Sequence, residues 1–320
     1  MKFDELRIGL DRLWRGEEQW PHPLAFVELK PDFADWQQVV LPPGPVVGLG
    51  TRDHPLAAKL DCVIEPPVSA EAVMRQVRAA PNAAAVVTDL LRLLPSLSLQ
   101  HGLIAESLAY ATLQGSTEHR VWLAAQPVSP ATTTTGRIDV LRQGNCLTIT
   151  LDNPAAGNAI DRFMRDALYE ALELATLDRD IALVQLRANG RAFSLGADLG
   201  EFGTTTDPAT AHAIRVRTLP AHLAAHCADR LEVHVQGACV GSGLELAAWG
   251  RRITATADAW FQLPELAMGI LPGAGGCVSL TRRIGRQRTA LMILSGKRIS
   301  ARQALEWGLI DAIVDDPPAD

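Results

Sequence analysis

The chain has 320 residues, 48% hydrophobic and 21% charged, with a net charge of −6, an ordinary globular composition with room for one large or two modest domains. It has no clustered Lys/Arg stripe to displace counterions from nucleic acid, no apolar run of the ~20 residues that span a bilayer, and acids in its opening MKFDELRIGL where a signal peptide needs a basic start. A soluble, cytoplasmic protein with neither nucleic-acid nor membrane partners is expected.

In chain order, Phe3, Leu6, Leu10, Leu13 and Trp14 fall at helical spacing, and LAFVEL (24–29) and PVVGLG (45–50) predict strands. Ser69, followed by Ala70, Glu71 and Ala72, predicts a helix start, and the pattern stays mostly helical to about Ala125. PVSPATTTTG (127–136) is polar, β-branched and bounded by Pro and Gly, which suits an exposed linker between a 1–126 region and a 137–320 core. RIDVLR (137–142) and CLTITL (146–151) predict a strand pair turning at Gln143-Gly144-Asn145. Asp161 predicts the N-cap of a helix with Phe163, Met164, Ala167, Leu168, Ala171 and Leu172 on one face. IALVQLR (181–187) reads as a buried strand, about 208–228 as one helix, LEVHVQG (231–237) as a strand, and a Gly-rich turn then opens a helix near Ser242. The alternation argues for α/β architecture.

The five cysteines, Cys62, Cys146, Cys227, Cys239 and Cys277, form no CxxC pair and no His/Cys ligand spacing. They read as buried reduced thiols, so no metal site is expected. His54, His101, His119 and His234 could each act as a base, but each is a lone histidine, which is more often structural.

Three stretches carry chemistry. GRAFSLGADLGEF (190–202) and VQGACVGSGLELAAWG (235–250) each set small residues at a strand-to-loop bend, where backbone N–H groups can be left for a ligand. Two such donors converging on one carbonyl oxygen make an oxyanion hole, which stabilises the charge that grows on a thioester oxygen as its α-carbon becomes enolate-like. In WFQLPELAMGILPGAGG (260–276), Pro272-Gly273-Ala274-Gly275-Gly276 turns into a helix, and Glu265 precedes it. Glu245 lies in the first turn after Gly241-Ser242-Gly243. Alone, Glu245 could simply favour the helix dipole and Glu265 could be a loop residue; beside both loops they form a constellation. Hydration of an α,β-unsaturated thioester needs water activated at the β-carbon and a proton for the α-carbon, which two carboxyls of unequal protonation can divide. The residue pattern leaves open which is acid and which base.

These residues resemble the crotonase, or enoyl-CoA hydratase/isomerase, superfamily. LDNPAAGNAID (151–161), GRAFSLGADL, GSGLELA, PELAMGILPGAGG and SGKRISARQALEWGLIDAIV (295–314) look like its signatures in the family's order, over about 137–314. The resemblance implies an α/β fold with a crotonase-type ββα superhelix core, here with an additional N-terminal, largely helical region. It places oxyanion N–H donors on Leu195 and Ser242, where the family more usually has Ala and Gly, and the catalytic acids on Glu245 and Glu265. Gly273 falls where a backbone N–H helps to hold water. Ala192, Phe193, Gly196, Ala197, Asp198 and Gly241 are implied as substrate-binding positions, although Asp198 also reads as a structural loop acid. Arg282, Arg283, Arg286 and Arg288 could meet CoA phosphates or form a solvated helix face.

The resemblance further implies an acyl-CoA substrate, no cofactor beyond the coenzyme A of that substrate, and a homo-oligomer built as a trimer or a dimer of trimers. Reversible hydration of a 2-enoyl-CoA is the leading expectation. Isomerisation, hydrolysis, retro-aldol cleavage and decarboxylation run through the same enolate, and a non-catalytic binding or assembly subunit is the competing class. Family members continue past the GLIDAIV strand into helices that cover the site. LDCVIEPPVSAEAVMRQVRAAPNAAAVVTDLL (60–91) and GLIAESLAYATLQGSTEHRVWLAAQ (102–126) resemble those helices. So 60–126 reads either as that cap in a permuted order or as an unrelated Ala/Leu-rich domain.

Overall fold

A computed structural model describes residues 3–9, 20–30, 39–126 and 135–315. The expected helix through Leu10, Leu13 and Trp14, and linker residues 127–134, lie outside the described residues; Phe3–Leu6 make one 3₁₀ turn.

Upstream of the linker, β1 (Ala25–Glu28), β2 (Val46–Leu49) and β3 (Cys62–Val63) form a parallel sheet in that order. Four helices follow: α1 (Ala70–Ala79), α2 (Pro81–Leu93), α3 (Leu99–Gln114) and α4 (Thr117–Ala125). The Ser69 hydroxyl caps α1 by accepting from the Ala72 N–H at 3.3 Å, as the sequence predicts.

Downstream, β4 (Arg137–Gln143) and β5 (Cys146–Asp152) pair antiparallel, with Arg137 opposite Asp152. β6 (Leu183–Ala188), β7 (Leu231–Val235), β9 (Arg252–Ala255) and β12 (Ala312–Ile313) extend this into a six-stranded sheet, parallel beyond β5. A second sheet runs β11 (Ile299–Ser300), β10 (Trp260–Gln262), β8 (Ala238–Val240). The helices are α5 (Arg162–Leu177), α6 (Pro208–Thr218), α7 (Ala221–Cys227), α8 (Ser242–Ala247), α9 (Gly276–Ile284), α10 (Arg286–Ser295) and α11 (Ala301–Trp307).

Two sequence expectations are corrected. The single helix over 208–228 is broken at Leu219-Pro220. Leu219 takes an extended backbone, as the residue before a proline tends to, and Pro220 has no N–H to continue the ladder. On α5, Met164, Leu168, Ala171 and Leu172 are buried, but Phe163 is 59% exposed and sits off the core face.

One hydrophobic core joins the two parts of the chain: Val73, Val87 and Leu103 from upstream belong to the same cluster as Leu244, Leu266 and Met292, while a smaller cluster of Ile8, Ala25, Val27, Val46, Leu56 and Leu60 lies upstream. Ion pairs reinforce the seam. Buried Asp61 accepts from the Val46 N–H and from Arg92, and also pairs with Arg286 at 3.3 Å. Arg288 pairs with Glu65 at 3.1 Å, and Arg283 donates to the carbonyls of Leu309 and Gly250. These arginines therefore hold the fold together, and neither expected role, CoA contact or solvated face, describes them. Arg282 is exposed.

Among the described residues no helix is long and apolar enough to cross a membrane. Replacing Asp61 with Ala strands Arg92 and Arg286 against a buried gap. The expected loss is about 3 kcal/mol of unfolding free energy in a urea titration, and a loss below about 0.5 kcal/mol would remove this seam from the stability account.

Candidate active site

The first loop is fixed from behind. Asn158, in a left-handed conformation that asparagine tolerates, accepts from the Asn153 N–H and donates to the carbonyls of Asn189 and Ala192. The Ser194 hydroxyl donates to the Asn158 carbonyl and accepts from the Gly196 N–H. The Leu195 N–H donates to the Gly157 carbonyl at 2.9 Å. That bond overturns the expectation for Leu195: its N–H is already committed inside the loop. The next free N–H in the loop is that of Ala197, which has no partner among the described residues. Leu195 instead contributes its half-exposed side chain to the cavity wall. Ala192 and Phe193 are corrected as well. Phe193 is fully buried in the core, Ala192 braces the loop through its carbonyl, and neither lines the cavity. Gly196, Ala197 and Asp198 do line it, and Asp198 also accepts from the Gly200 N–H, the structural role its position suggests.

The second loop runs alongside the first, joined by Ser194 N–H to the Ala238 carbonyl and Val240 N–H to the Ser194 carbonyl. Gly196 and Gly241 meet face to face. A Cβ on Gly196 would lie 3.1 Å from the Val240 carbonyl oxygen, and one on Gly241 2.7 Å from Glu265 Oε1. Both glycines have positive φ, +96° and +48°, so space and backbone both demand glycine. The residues after them, Ala197 and Ser242, border the same cavity. Ser242 opens α8, so its N–H is one of the unpaired donors of a helix start, and its buried hydroxyl has no partner.

Glu245 and Glu265 are 2% and 8% exposed and both border the cavity. Glu245 Oε2 accepts from the N–H groups of Ala274 and Gly276, at 2.6 and 2.8 Å. Glu265 Oε2 has no hydrogen-bond partner among the described residues. A third buried acid, Glu106 on α3, accepts from the N–H groups of Gly275 and Val278, at 2.6 and 3.2 Å. Two carboxyls from either side of the linker thus cap α9 together.

The electrostatics separate the three. Burial lifts Glu245 to about 7, against the pull of its two N–H donors. Burial, and then the charge of Glu245, push Glu265 and Glu106 well above the carboxylate range.

The cavity is about 420 Å³. Gly273 lines it, and the Tyr110 ring of α3 abuts Gly273 so closely that a Cβ there would meet the ring at 2.1 Å. His119 of α4, the one of the four singled-out histidines on this wall, is held by the Met268 carbonyl at 2.9 Å. Burial depresses its basicity. Asn158, Glu106, Tyr110 and Arg215 were not among the expected site residues. Glu106 did carry a signal: it interrupts the apolar face of α3 between Leu103 and Ala111, where an acid needs a specific partner.

Residues 142–318 match the family model for enoyl-CoA hydratase/isomerase, more than half of the chain. The chain belongs to this family. Among curated relatives, it is 37% identical over 174 residues to the 2,3-dehydroadipyl-CoA hydratase of Escherichia coli, covering 54% of this chain and 68% of that one. It is 30% identical over 182 residues to the mevalonyl-coenzyme A hydratase of Beauveria bassiana, covering 54% and 65%. The crystal structure of the enoyl-CoA hydratase from Thermoplasma volcanium superposes with a TM-score of 0.50 at 32% identity, over 56% of this chain and 72% of that one. The chain thus spans about two thirds of the length of the curated relatives it matches. Glu106, Tyr110 and His119 lie outside the family match, yet they reach the site shared with the family.

The Tyr110–Gly273 contact is testable by a double-mutant cycle. Gly273→Ala overpacks the ring and should cost about 1–3 kcal/mol. Because Tyr110→Ala removes the clash, the double variant should be at least about 1 kcal/mol more stable in thermal unfolding than the two single losses predict. Strict additivity would show that α3 does not pack there in solution.

Proposed function

We propose that this chain hydrates 2-enoyl-CoA thioesters reversibly. The observation that carries the reading is the inequality of two buried acids on one cavity: Glu245 receives two N–H donors, and Glu265 has an unpartnered oxygen. Donors favour the ionised form, and an unpartnered buried carboxyl favours the protonated one. Glu245 is therefore the base that takes a proton from water as its oxygen bonds to the β-carbon. Glu265 delivers a proton to the α-carbon, and the glutamates then exchange protons to restore the starting state. The N–H groups of Ala197 and Ser242 receive the thioester oxygen as charge moves onto it. No cofactor is needed beyond the coenzyme A of the substrate. Both named curated relatives are hydratases, and a retained acid pair favours hydration over a simple double-bond shift.

In the same reading, helices α1–α4 serve as the cap that family members carry after the core. The contact of Glu106 with α9 supports this, and assembly as trimers would accompany it.

Glu245→Gln and Glu265→Gln should each lower kcat/KM for crotonyl-CoA by about 10²–10⁴. The pH profile gives the sign. The base must be ionised, so activity rises with pH through the Glu245 value of about 7. It falls again where Glu265, raised higher, loses its proton. A rising limb centred near the ordinary glutamate value of about 4.3 would refute this assignment.

Ser242→Pro isolates the oxyanion donor. Proline is tolerated at the first helical position and removes only an N–H that the helix does not use. The expected loss in kcat is about 10²–10³ with the fold retained by circular dichroism; unchanged kcat would clear Ser242 of the role.

A further inference from the structure

Three arginines line the cavity, and two of them are spoken for: Arg162 pairs with Glu201 at 2.8 Å and Arg165 with Asp166 at 2.6 Å. Arg215 on α6 has no carboxylate partner among the described residues. Its bonds go to neutral acceptors only, and all are long: Nε to the Ser107 hydroxyl at 3.2 Å, Nη1 to Gln114 Oε1 at 3.2 Å, and Nη2 to the Ser107 carbonyl at 3.3 Å. The guanidinium stacks on the Tyr110 ring, 4.4 Å from its centroid. A guanidinium has five N–H donors, so two are left unspent beside the cavity. Burial of such a group without an anion is unfavourable, and planar two-donor recognition suits a carboxylate.

The place of Arg215 says which part of a ligand it faces. Tyr110 is wedged between Arg215 and Gly273, and Gly273 adjoins Ala274, whose N–H holds Glu245. Arg215 therefore sits at the reacting end of the cavity, one aromatic ring away from the glutamates.

We propose that Arg215 receives a carboxylate at the far end of the acyl chain, so that the substrates are CoA half-thioesters of unsaturated dicarboxylic acids. This rests on the hydratase reading above and narrows it. Ser107 and Gln114 hold the guanidinium in place, and Tyr110 keeps it from folding back onto Glu245. The substrate brings the carboxylate partner that Arg215 lacks among the described residues.

The test uses saturated acyl-CoAs, which bind without reacting, on the full chain. Adipyl-CoA and suberyl-CoA are compared with hexanoyl-CoA and octanoyl-CoA by calorimetry. A charge-assisted pair should make the better dicarboxylic thioester bind about 10- to 100-fold more tightly than its methyl-ended counterpart. In Arg215→Gln that ratio should fall below about threefold, and Arg215→Lys should keep part of it. Equal or weaker binding of both dicarboxylic thioesters by the wild type, which needs no variant to fold, overturns the proposal. So does a ratio that survives Arg215→Gln. If Arg215 instead meets the nucleotide phosphates, Arg215→Gln will weaken free CoA and all four thioesters alike, and the proposal fails. The hydratase reading is scored separately, on turnover of the matching 2-enoyl thioesters. Absent turnover with the binding ratio intact sinks hydration and leaves the carboxylate pocket standing.

Discussion

The start of α9 is buried, and its unpaired N–H groups have to be satisfied without water. Everything around the site follows from how this is done. Ala274, Gly275, Gly276 and Val278 each present an N–H, and Glu245 and Glu106 divide these four between them. Leaving one such donor unpaired costs about 1–3 kcal/mol, so both acids are held by the fold as firmly as by any chemistry they perform. A helix N-terminus also carries partial positive charge, which favours an ionised carboxylate at this buried position. Three carboxyls cannot all ionise in one buried neighbourhood. Glu245 takes two backbone donors and is lifted by burial to about 7, whereas burial and the charge of Glu245 hold Glu265 and Glu106 well above the carboxylate range. The inequality of the two cavity acids therefore combines backbone donors on Glu245 with burial of Glu265 beside its charge.

The same constraint explains what could be read from the sequence. Glycines at positive φ and a helix opening on glycines are local signals, so both loops and the pair Glu245 and Glu265 were legible. The strands and caps that position them were equally local: Ser69 and Asp161 both cap as their patterns imply. The donor at Leu195 was misplaced because which N–H is free depends on a partner thirty-eight positions away, the Gly157 carbonyl. A one-residue shift along a loop changes the direction in which an N–H points, and spacing alone does not fix it. Glu106, Tyr110 and Arg215 escaped for a related reason. Each matters only through contacts across about 100 residues or more, such as Glu106 with Gly275 and Arg215 with Ser107. The break at Pro220 was visible in principle, since proline forbids the interior hydrogen bond, but the flanking Ala-rich helical pattern masked it.

Packing, not chain order, determines what lines this cavity. The oxyanion loops and the glutamates come from the matched family segment, whereas part of the cavity wall comes from α3 and α4, upstream of it. Asp61 with Arg286 and Glu65 with Arg288 fasten the upstream part to α10 across more than 220 residues of sequence. Joining distant segments costs closure entropy that grows only logarithmically with loop length, so a buried ion pair and a shared hydrophobic core are enough to hold such a cap in place. This divides the site into two physically separate jobs. The two loops place the N–H groups of Ala197 and Ser242 beside one part of the cavity. The wall made where α3 packs against α6 borders another part of it. Ser107, Gln114 and Arg215 lie where these helices pack and not on the two loops that carry Ala197 and Ser242. The same α3 also carries Glu106, which accepts from two of the four N–H groups at the start of α9. Helix α3 is thus joined both to the start of α9, through Glu106, and to α6, through the three hydrogen bonds of Arg215.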